Sequence, residues 1–254
     1  MTPTSTKTMV KFNNIHFSYG TAPVLEGVSF EVKHGEVLVI LGGSGSGKST
    51  ILRLLMGLLD ADKGTIEFDG VDVTNIDGDA LVALRHRMGM VFQEGALFDS
   101  LTVGENVGYY LLGHGMDNKA GLPEVEKRVT DTLRLVGLEQ TIDKWPGELS
   151  GGMRRRVAAA RTIIYSPDLI LYDEPTTGLD PATCENLCNV ILDIKREKGV
   201  TSILVTHNME DALTVGDQFL LLRNGVALWN GTKEELKAKP HDFLMKFFRG
   251  DDVA

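Results

Sequence analysis

The chain has 254 residues, of which 43% are hydrophobic and 24% are charged, and its formal net charge is −9. This composition is typical of neither a disordered nor a membrane-spanning protein, and the acidic balance disfavours a broad surface for nucleic acid or anionic membranes. No apolar run approaches the roughly 20 residues that span a bilayer, and the N-terminus lacks the apolar core of a secretion signal, so we expect a soluble cytosolic protein.

Short apolar runs separated by helical stretches are the main pattern along the chain. Such runs are typical of parallel strands that are buried on both faces of a sheet. They predict an α/β protein with a parallel sheet. The predicted strands are the alternating segment MVKFNNIHFSYG near the N-terminus and the runs Val37–Leu41, Met88–Phe92, Leu169–Asp173 and Ser202–Thr206.

Two other segments predict a smaller antiparallel layer beside the main sheet. Residues 64–73 and 218–231 contain Asp-Gly and Asn-Gly pairs, which favour tight hairpin turns. Between Gln93 and Pro167 no buried strand is evident, and runs such as LPEVEKRVTDTLRLVGL are amphipathic. We therefore expect a helical insertion at about 93–167.

Two clusters carry weaker signals. Cys184 and Cys188 lie four apart in a predicted helix with no nearby His to complete a metal site, so we interpret them as small, reduced, partly buried residues. The run at 154–156 is three consecutive arginines. Taken alone, it favours a solvated helix face with salt bridges over a basic binding patch.

A phosphate-binding loop follows the first apolar run. Residues 42–49 fit G-x-x-x-x-G-K-[ST] between a predicted strand and the helix STILRLLMGLL, which is the context that the motif requires. Backbone N–H groups can surround the phosphates, Lys48 can reach the β- and γ-phosphates, and the Ser49 hydroxyl can ligate Mg²⁺. The predicted loop residues are Gly42, Gly43, Ser44, Gly45, Ser46, Gly47, Lys48, Ser49 and Thr50.

A pair of carboxylates follows another predicted strand, in the sequence LILYDEP. Asp173 ends this strand at the edge of the sheet where the phosphate loop also lies, so we expect it to hold Mg²⁺ directly or through water. Glu174 comes next and could polarise the attacking water as general base, a role worth about 10² to 10⁴ in rate.

A helix predicted from the sequence ELSGGMRRRVAAAR begins with very small residues. Ser150 can cap it, and Gly151 and Gly152 would leave the first N–H groups open to an anion at the positive end of the helix dipole. Because many helices start with Ser and Gly for capping alone, this stretch does not by itself establish a phosphate site.

The combination of motifs resembles the ATPase subunit of ABC transporters. The resemblance lies in the loop 42–49, Gln93 after MGMVF, the LSGG of 149–152, the pair Asp173–Glu174, the GLD of 178–180, and His207 after SILVT. It implies a P-loop NTPase of the ABC ATPase type, with a RecA-like parallel sheet core, an antiparallel β layer and a helical insertion subdomain. The implied domain spans 8–240, followed by a C-terminal extension at 241–254.

The resemblance also implies roles for single residues. Tyr19 would stack on adenine, Gln93 would link the metal and the water to the insertion, and His207 would contact the γ-phosphate of ATP. The LSGG of one copy would close on the ATP of another in a homodimer. The implied catalytic residues are Lys48, Gln93, Glu174 and His207. The implied ATP ligands beyond the loop are Tyr19, Gln93, Ser150, Gly151, Gly152, Asp180 and His207, and the implied Mg²⁺ ligands are Ser49, Gln93 and Asp173.

Met153 narrows the resemblance, because the generic family has Gln after the two glycines. With FQEGALFDSLTVGENV, LYDEPTTGLDP and the ending DFLMKFFRG, it resembles the ATPase of Mla or Mce-type phospholipid transporters. That subgroup implies a separate integral membrane permease, an Mce-domain lipid-binding protein, a small accessory subunit, a place on the cytoplasmic face of the inner membrane, and no nucleic acid. Residues 96–98 could contact the permease or fill the insertion's own core.

Two alternatives remain open from the sequence. The chain could serve a lipoprotein-releasing or nutrient-importing ABC system with the same ATPase plan. It could also be a non-transport ABC protein that gates a macromolecular clamp. The segment between Gln93 and Leu149 is too short for the long coiled coil of chromosome-type members, and one cassette is present where ribosome-acting members typically carry two.

Overall fold

The computed structural model describes residues 7–113, 122–239 and 243–249, and the chain divides into two compact units. The first unit comprises residues 1–86 and 201–254, and the second comprises residues 87–200. Within the described ranges, no helix combines the length and the apolar character that a bilayer crossing requires.

The strands are β1 (Thr8–Tyr19), β2 (Ala22–Lys33), β3 (Val37–Leu41), β4 (Lys63–Phe68), β5 (Val71–Asp72), β6 (Met88–Val91), β7 (Leu169–Asp173), β8 (Thr201–Thr206), β9 (Gln218–Arg223) and β10 (Val226–Thr232). The helices are α1 (Lys48–Leu55), α2 (Gly78–His86), α3 (Val103–Gly113), α4 (Leu122–Leu135), α5 (Gly151–Ile163), α6 (Pro181–Lys198), α7 (Met209–Val215), α8 (Lys233–Lys237) and α9 (Phe243–Arg249), with short 3-10 helices at Glu139–Thr141 and Pro146–Glu148. Of the predicted extension at 241–254, only α9 lies within the described residues.

The first unit contains an antiparallel sheet in the strand order β2-β1-β4-β5. The predicted Asp-Gly turn is confirmed, because Asp69 and Gly70 both have positive φ and join β4 to β5 as a type I′ pair does. Strand β2 was not predicted from the sequence, although buried and exposed residues alternate along its second half, Val28–Lys33.

The same unit contains a parallel arrangement in which β3 lies between β8 and β9. Every residue of β3 and β8 is buried, as expected for parallel strands covered on both faces. The Asn224–Gly225 turn joins β9 to β10 as predicted, with positive φ at both residues. The assignment of residues 218–231 to the antiparallel layer was wrong, however, since β9 pairs with β3 in parallel.

The second unit pairs β6 with β7 in parallel, and most of its remaining chain is helical. The structure shows no strand in the described parts of the predicted insertion, 93–113 and 122–167. Helix α5 packs against α3, α4 and α6, so it forms the centre of this unit. Cys184 and Cys188 are both buried on α6 as reduced thiols.

Candidate active site

The loop between β3 and α1 presents backbone N–H groups at the start of a helix. Gly47 is the N-cap of α1 with φ of 103°, and Gly45 has φ of 78°, both in the left-handed region that favours glycine. Within the described residues, no side chain caps this helix. The first N–H groups of α1 therefore face the loop, which is the arrangement that binds phosphate.

Lys48 closes this loop from the helix side. Its Nζ donates hydrogen bonds to the carbonyl oxygens of Gly42 at 2.8 Å and Gly43 at 3.1 Å. The Lys48 side chain is buried although it carries a charge. The ammonium group therefore lies at the centre of the glycine loop, close to its backbone.

The β9–β10 hairpin packs against the phosphate loop, a contact that was not predicted from the sequence. The N–H of Gly225 donates to the Ser46 carbonyl at 3.1 Å, and a Cβ on Gly42 would clash with the Leu222 carbonyl and with Ser46. The Ser46 Oγ is buried and has no hydrogen-bond partner among the described residues. Glycine is thus required at position 42 by the hairpin as well as by any ligand.

Tyr19 lies beside the phosphate loop, as the resemblance implies. The two share a cavity of about 310 Å³ that Val24 also lines. The side chain is 49% exposed, its ring contacts Phe17 edge-on with centroids 4.9 Å apart, and its hydroxyl accepts a 3.4 Å hydrogen bond from Arg53. An exposed aromatic face therefore stands at the side of the loop.

His207 lies at the end of β8, next to the start of the same loop. Thr206 pairs with Leu41, and the Gly42 N–H donates to the Thr206 carbonyl at 3.4 Å. The His207 side chain is exposed, and the following Asn208 caps α7. The first unit thus places Tyr19 beside the phosphate loop at the end of β1, and His207 after β8, the parallel neighbour of the strand that leads into the loop.

Asp173 and Glu174 stand at the carboxyl end of β7 in the second unit. Glu174 has φ of 48°, a left-handed conformation that costs a non-glycine residue about 1–3 kcal/mol and that clusters at functional sites. Its Oε2 accepts a 2.9 Å hydrogen bond from the Thr177 hydroxyl, and its carbonyl accepts from the Thr177 N–H at 3.3 Å. The turn 174–177 therefore orients the carboxylate.

Ser150 and Gly152, at the start of α5, have different structural roles. Ser150 is the predicted N-cap, because its hydroxyl accepts the N–H of Met153 at 3.3 Å. Gly152 is buried, and a Cβ there would clash with Thr183 at the start of α6. Asp180 caps α6 through Thr183, and these hydrogen bonds lower the pKa of the Asp180 carboxyl.

The arginines of α5 do not form a solvated face, so that interpretation was wrong. Each donates to backbone carbonyls: Arg154 to Leu149 at 3.0 Å, Arg155 to Gln93 and Thr177 at 2.5 Å, and Arg156 to Val136 at 3.2 Å. Burial lowers the pKa of the Arg155 and Arg156 guanidinium groups. Periodicity could not reveal this role, since the carbonyls come from distant segments.

The donor atoms suit a hard cation bound together with a phosphate ligand. Among the described residues, no group of three or more His, Cys, Asp or Glu side chains could hold a metal ion. Mg²⁺ usually takes one or two carboxylates plus substrate phosphates. The Ser49 hydroxyl in the first unit and the Asp173 carboxylate in the second unit are each oxygen donors of the kind that Mg²⁺ prefers. Gln93, the third predicted ligand, has an exposed side chain in the second unit.

A family model and curated relatives each match more than half of the chain. The family model described as ABC transporter matches residues 25–177. The chain is 38% identical over 226 residues to the glycine betaine/carnitine transport ATP-binding protein GbuA of Listeria monocytogenes, covering 88% of this chain and 56% of that relative. The chain thus spans little more than half of the length of this curated relative.

The fold is shared with solved structures, two of which align with most of this chain. One is cbiO1 from Clostridium perfringens, part of the ABC transporter complex cbiONQ, with a TM-score of 0.85 and 28% identity over 94% of both chains. The other is the dimeric, post-hydrolysis ATP-binding cassette MJ0796 bound to ADP and Pi, with a TM-score of 0.79 and 32% identity, covering 89% of this chain and 99% of that one.

Proposed function

Because this chain belongs to the ABC transporter family and has the α/β fold of its ATPase cassettes, we propose that it hydrolyses ATP to power phospholipid transport between bacterial membranes through a separate permease. ATP and Mg²⁺ are the cofactors of such cassettes. The observation that supports hydrolysis best is the glycine loop closed by Lys48, since it presents a buried cation and open helix N–H groups to a phosphate ligand.

The proposed mechanism divides binding from water activation. Lys48 and the loop N–H groups hold the β- and γ-phosphates, Tyr19 stacks on adenine, and Ser49 with Asp173 would hold Mg²⁺, which supplies Lewis-acid polarisation of the phosphates when bound. Glu174 accepts the proton of the attacking water at its carboxylate. The Thr177 hydroxyl bound to Oε2 fixes the carboxylate orientation.

In the proposed function His207 contacts the γ-phosphate, and Gln93 links the metal and the water to the helices of the second unit. Two copies assemble around ATP, with Ser150, Gly151 and Gly152 of one copy facing the phosphate loop of the other. The dimeric MJ0796 cassette supports this arrangement by likeness. Ser150 is exposed at the N-terminus of α5, where helix N–H groups can bind an anion, and this position also supports the arrangement.

We assign the permease contact to the surface formed by Ala96, Leu97, Phe98 and Tyr109, called the coupling surface below. Phe98 is 43% exposed and Tyr109 is 37% exposed, and their ring centroids are 4.7 Å apart. Ala96 is exposed and Leu97 is half-buried. This exposure favours an apolar partner over the insertion's own core. A cavity of about 540 Å³, also lined by Ala96 and Leu97, opens on this surface.

The lipid cargo is supported by the resemblance around Met153 and the ending DFLMKFFRG. The same resemblance supports an Mce-domain partner, a small accessory subunit, and attachment to the cytoplasmic face of the inner membrane through the permease. Any residue at position 153 could donate its N–H to the Ser150 hydroxyl, so this hydrogen bond does not distinguish Met from Gln. Only the side chains of the resembling segments support a lipid cargo.

Uptake of a small polar solute is a second candidate, favoured by the likeness to the glycine betaine/carnitine protein. Affinity purification of the tagged chain from membranes separates the two candidates. Copurification of a permease, an Mce-domain protein and phospholipid is the expected result. Copurification of a solute receptor without lipid would contradict the lipid cargo while leaving the ATPase proposal in place.

A further inference from the structure

Two arginines on α5 hold the segment 93–98 along its length. Arg155 Nε donates to the Gln93 carbonyl at 2.5 Å. Arg161 donates to the carbonyls of Ala96 at 2.9 Å and Gly95 at 3.2 Å, and its guanidinium carbon lies 5.7 Å from the centre of the Phe98 ring. The segment that carries Gln93 and part of the coupling surface is therefore attached to one helix.

Arg155 also binds the segment that follows Glu174. Its Nη2 donates to the Thr177 carbonyl at 2.5 Å, next to the turn that orients Glu174. The side chain is only 8% exposed, and its Nη1 has no partner among the described residues. Burying a cation against neutral carbonyls is costly, so packing alone does not explain an arginine here.

Arginine is the side chain that can make these contacts. Its planar fork carries donors on separate nitrogens in fixed directions, so Nε and Nη2 of Arg155 reach carbonyls in two different segments, whereas lysine has a single nitrogen at the end of a flexible stem. Asn106 fixes the far end of the segment, because it is fully buried and exchanges hydrogen bonds with the N–H and carbonyl of Phe98 at 2.8 and 3.0 Å. The segment is therefore held to α3 as well as to α5, and these two helices pack against each other.

We propose that Arg155 and Arg161 are positioning residues that make segment 93–98 and α5 move as one body. A displacement of Gln93 would then reach the coupling surface and the Ser150 end of α5 together. This inference rests on the proposed function, because it assumes that nucleotide displaces Gln93. We call the two residues the arginine clamp.

Arg156 provides a matched control on the same helix. Burial lowers the pKa of its guanidinium as well, but it donates to a single backbone carbonyl, that of Val136, which lies outside segment 93–98. The test compares Arg155→Met, Arg161→Met and Arg156→Met in the full chain. Thermal unfolding checks that each variant folds, and Arg155→Lys replaces Arg155→Met if the latter does not.

Hydrogen exchange followed by mass spectrometry and steady-state ATP hydrolysis provide the readouts. Exchange uses a Glu174→Gln background with and without Mg-ATP. We expect the clamp variants to exchange peptides covering 93–98 about tenfold faster, to lose the ATP-dependent protection of those peptides, and to lower kcat about tenfold with KM for ATP unchanged. Arg156→Met should show none of these changes.

Unchanged exchange and kcat in both clamp variants, or equal changes in Arg156→Met, would overturn the arginine clamp. A failure of the proposed function would look different, because the unsubstituted chain would then show no ATP hydrolysis. Faster exchange at 93–98 confined to the clamp variants would still support the positioning role in that case.

Discussion

The Cγ2 atom of Thr183 lies in the space that a side chain on Gly152 would need. Thr183 is held there because its hydroxyl and its N–H both donate to the Asp180 carboxylate, at 2.6 and 3.0 Å. The first turns of α5 and α6 therefore pack as closely as a residue without Cβ allows. Gly152 has a packing role in addition to the approach to phosphate that the sequence suggests.

Gly152→Ala should lower the free energy of unfolding by about 1–3 kcal/mol, because the added methyl group overpacks the contact with Thr183. Urea unfolding measures the loss. Gly151→Ala is the control, since among the described residues its Cβ would meet only Leu179, at 3.4 Å. Thr183→Ser in the Gly152→Ala chain removes Cγ2 but keeps the hydroxyl, and it should restore most of the stability. Equal stability of the two alanine variants would contradict the packing role.

Tyr165 should make the free energy of unfolding depend on pH in the alkaline range. Burial raises the pKa of Tyr165 to about 12, and its hydroxyl donates to the Met88 carbonyl at 3.0 Å. A folded-state pKa above the ordinary value of 10 contributes stability that is fully present below pH 10 and lost as the pH rises towards 12.

Tyr165→Phe should therefore lower the free energy of unfolding by about 1 kcal/mol at neutral pH, where the hydrogen bond is intact. The difference between the two chains should shrink above pH 10. Urea unfolding from pH 7 to 11 measures it, and a difference that stays constant over this range would show that Tyr165 does not titrate with a raised pKa.

The main strands and the helical region could be predicted because their signals are local. The run VLVIL coincides with β3, and the glycine loop directly follows it. The position of β9 could not be predicted, because hairpin residues determine a turn but not the neighbour of the hairpin in a sheet. The contacts of Arg155 with Gln93 and Thr177 were missed for the same reason, since they join residues that are far apart in sequence.

Phe98→Asp should weaken recruitment to membranes that contain the permease, because it places a charge in the apolar coupling surface. The loss should be at least about tenfold, as for a central interface residue. Cosedimentation with permease-containing vesicles measures it, with Leu97→Asp as a second variant and Val82→Asp as control, since Val82 is also an exposed apolar residue, on α2. ATP binding by the isolated subunit should survive, and full recruitment of both variants would place the permease contact elsewhere.

Mixing Lys48→Ala subunits with Ser150→Arg subunits should restore hydrolysis if the LSGG segment acts on the ATP of a second copy. Each mixed dimer then has one intact site and one doubly damaged site. Random pairing makes half of the dimers mixed, so we expect roughly a quarter of the turnover of the unsubstituted protein. Turnover no higher than that of either variant alone would contradict action between copies, provided that one intact site suffices for hydrolysis.

The ATP turnover of Glu174→Gln, compared with that of Lys48→Ala, tests the proposed function most directly. The amide keeps the shape of the carboxylate but cannot accept the proton of water, so Glu174→Gln should bind ATP with unchanged affinity and hydrolyse it about 10² to 10⁴ times more slowly. Lys48→Ala should lose productive ATP binding or turnover, because it removes the cation from the phosphate loop. Turnover of Glu174→Gln close to that of the unsubstituted chain would contradict the assignment of Glu174 as the base.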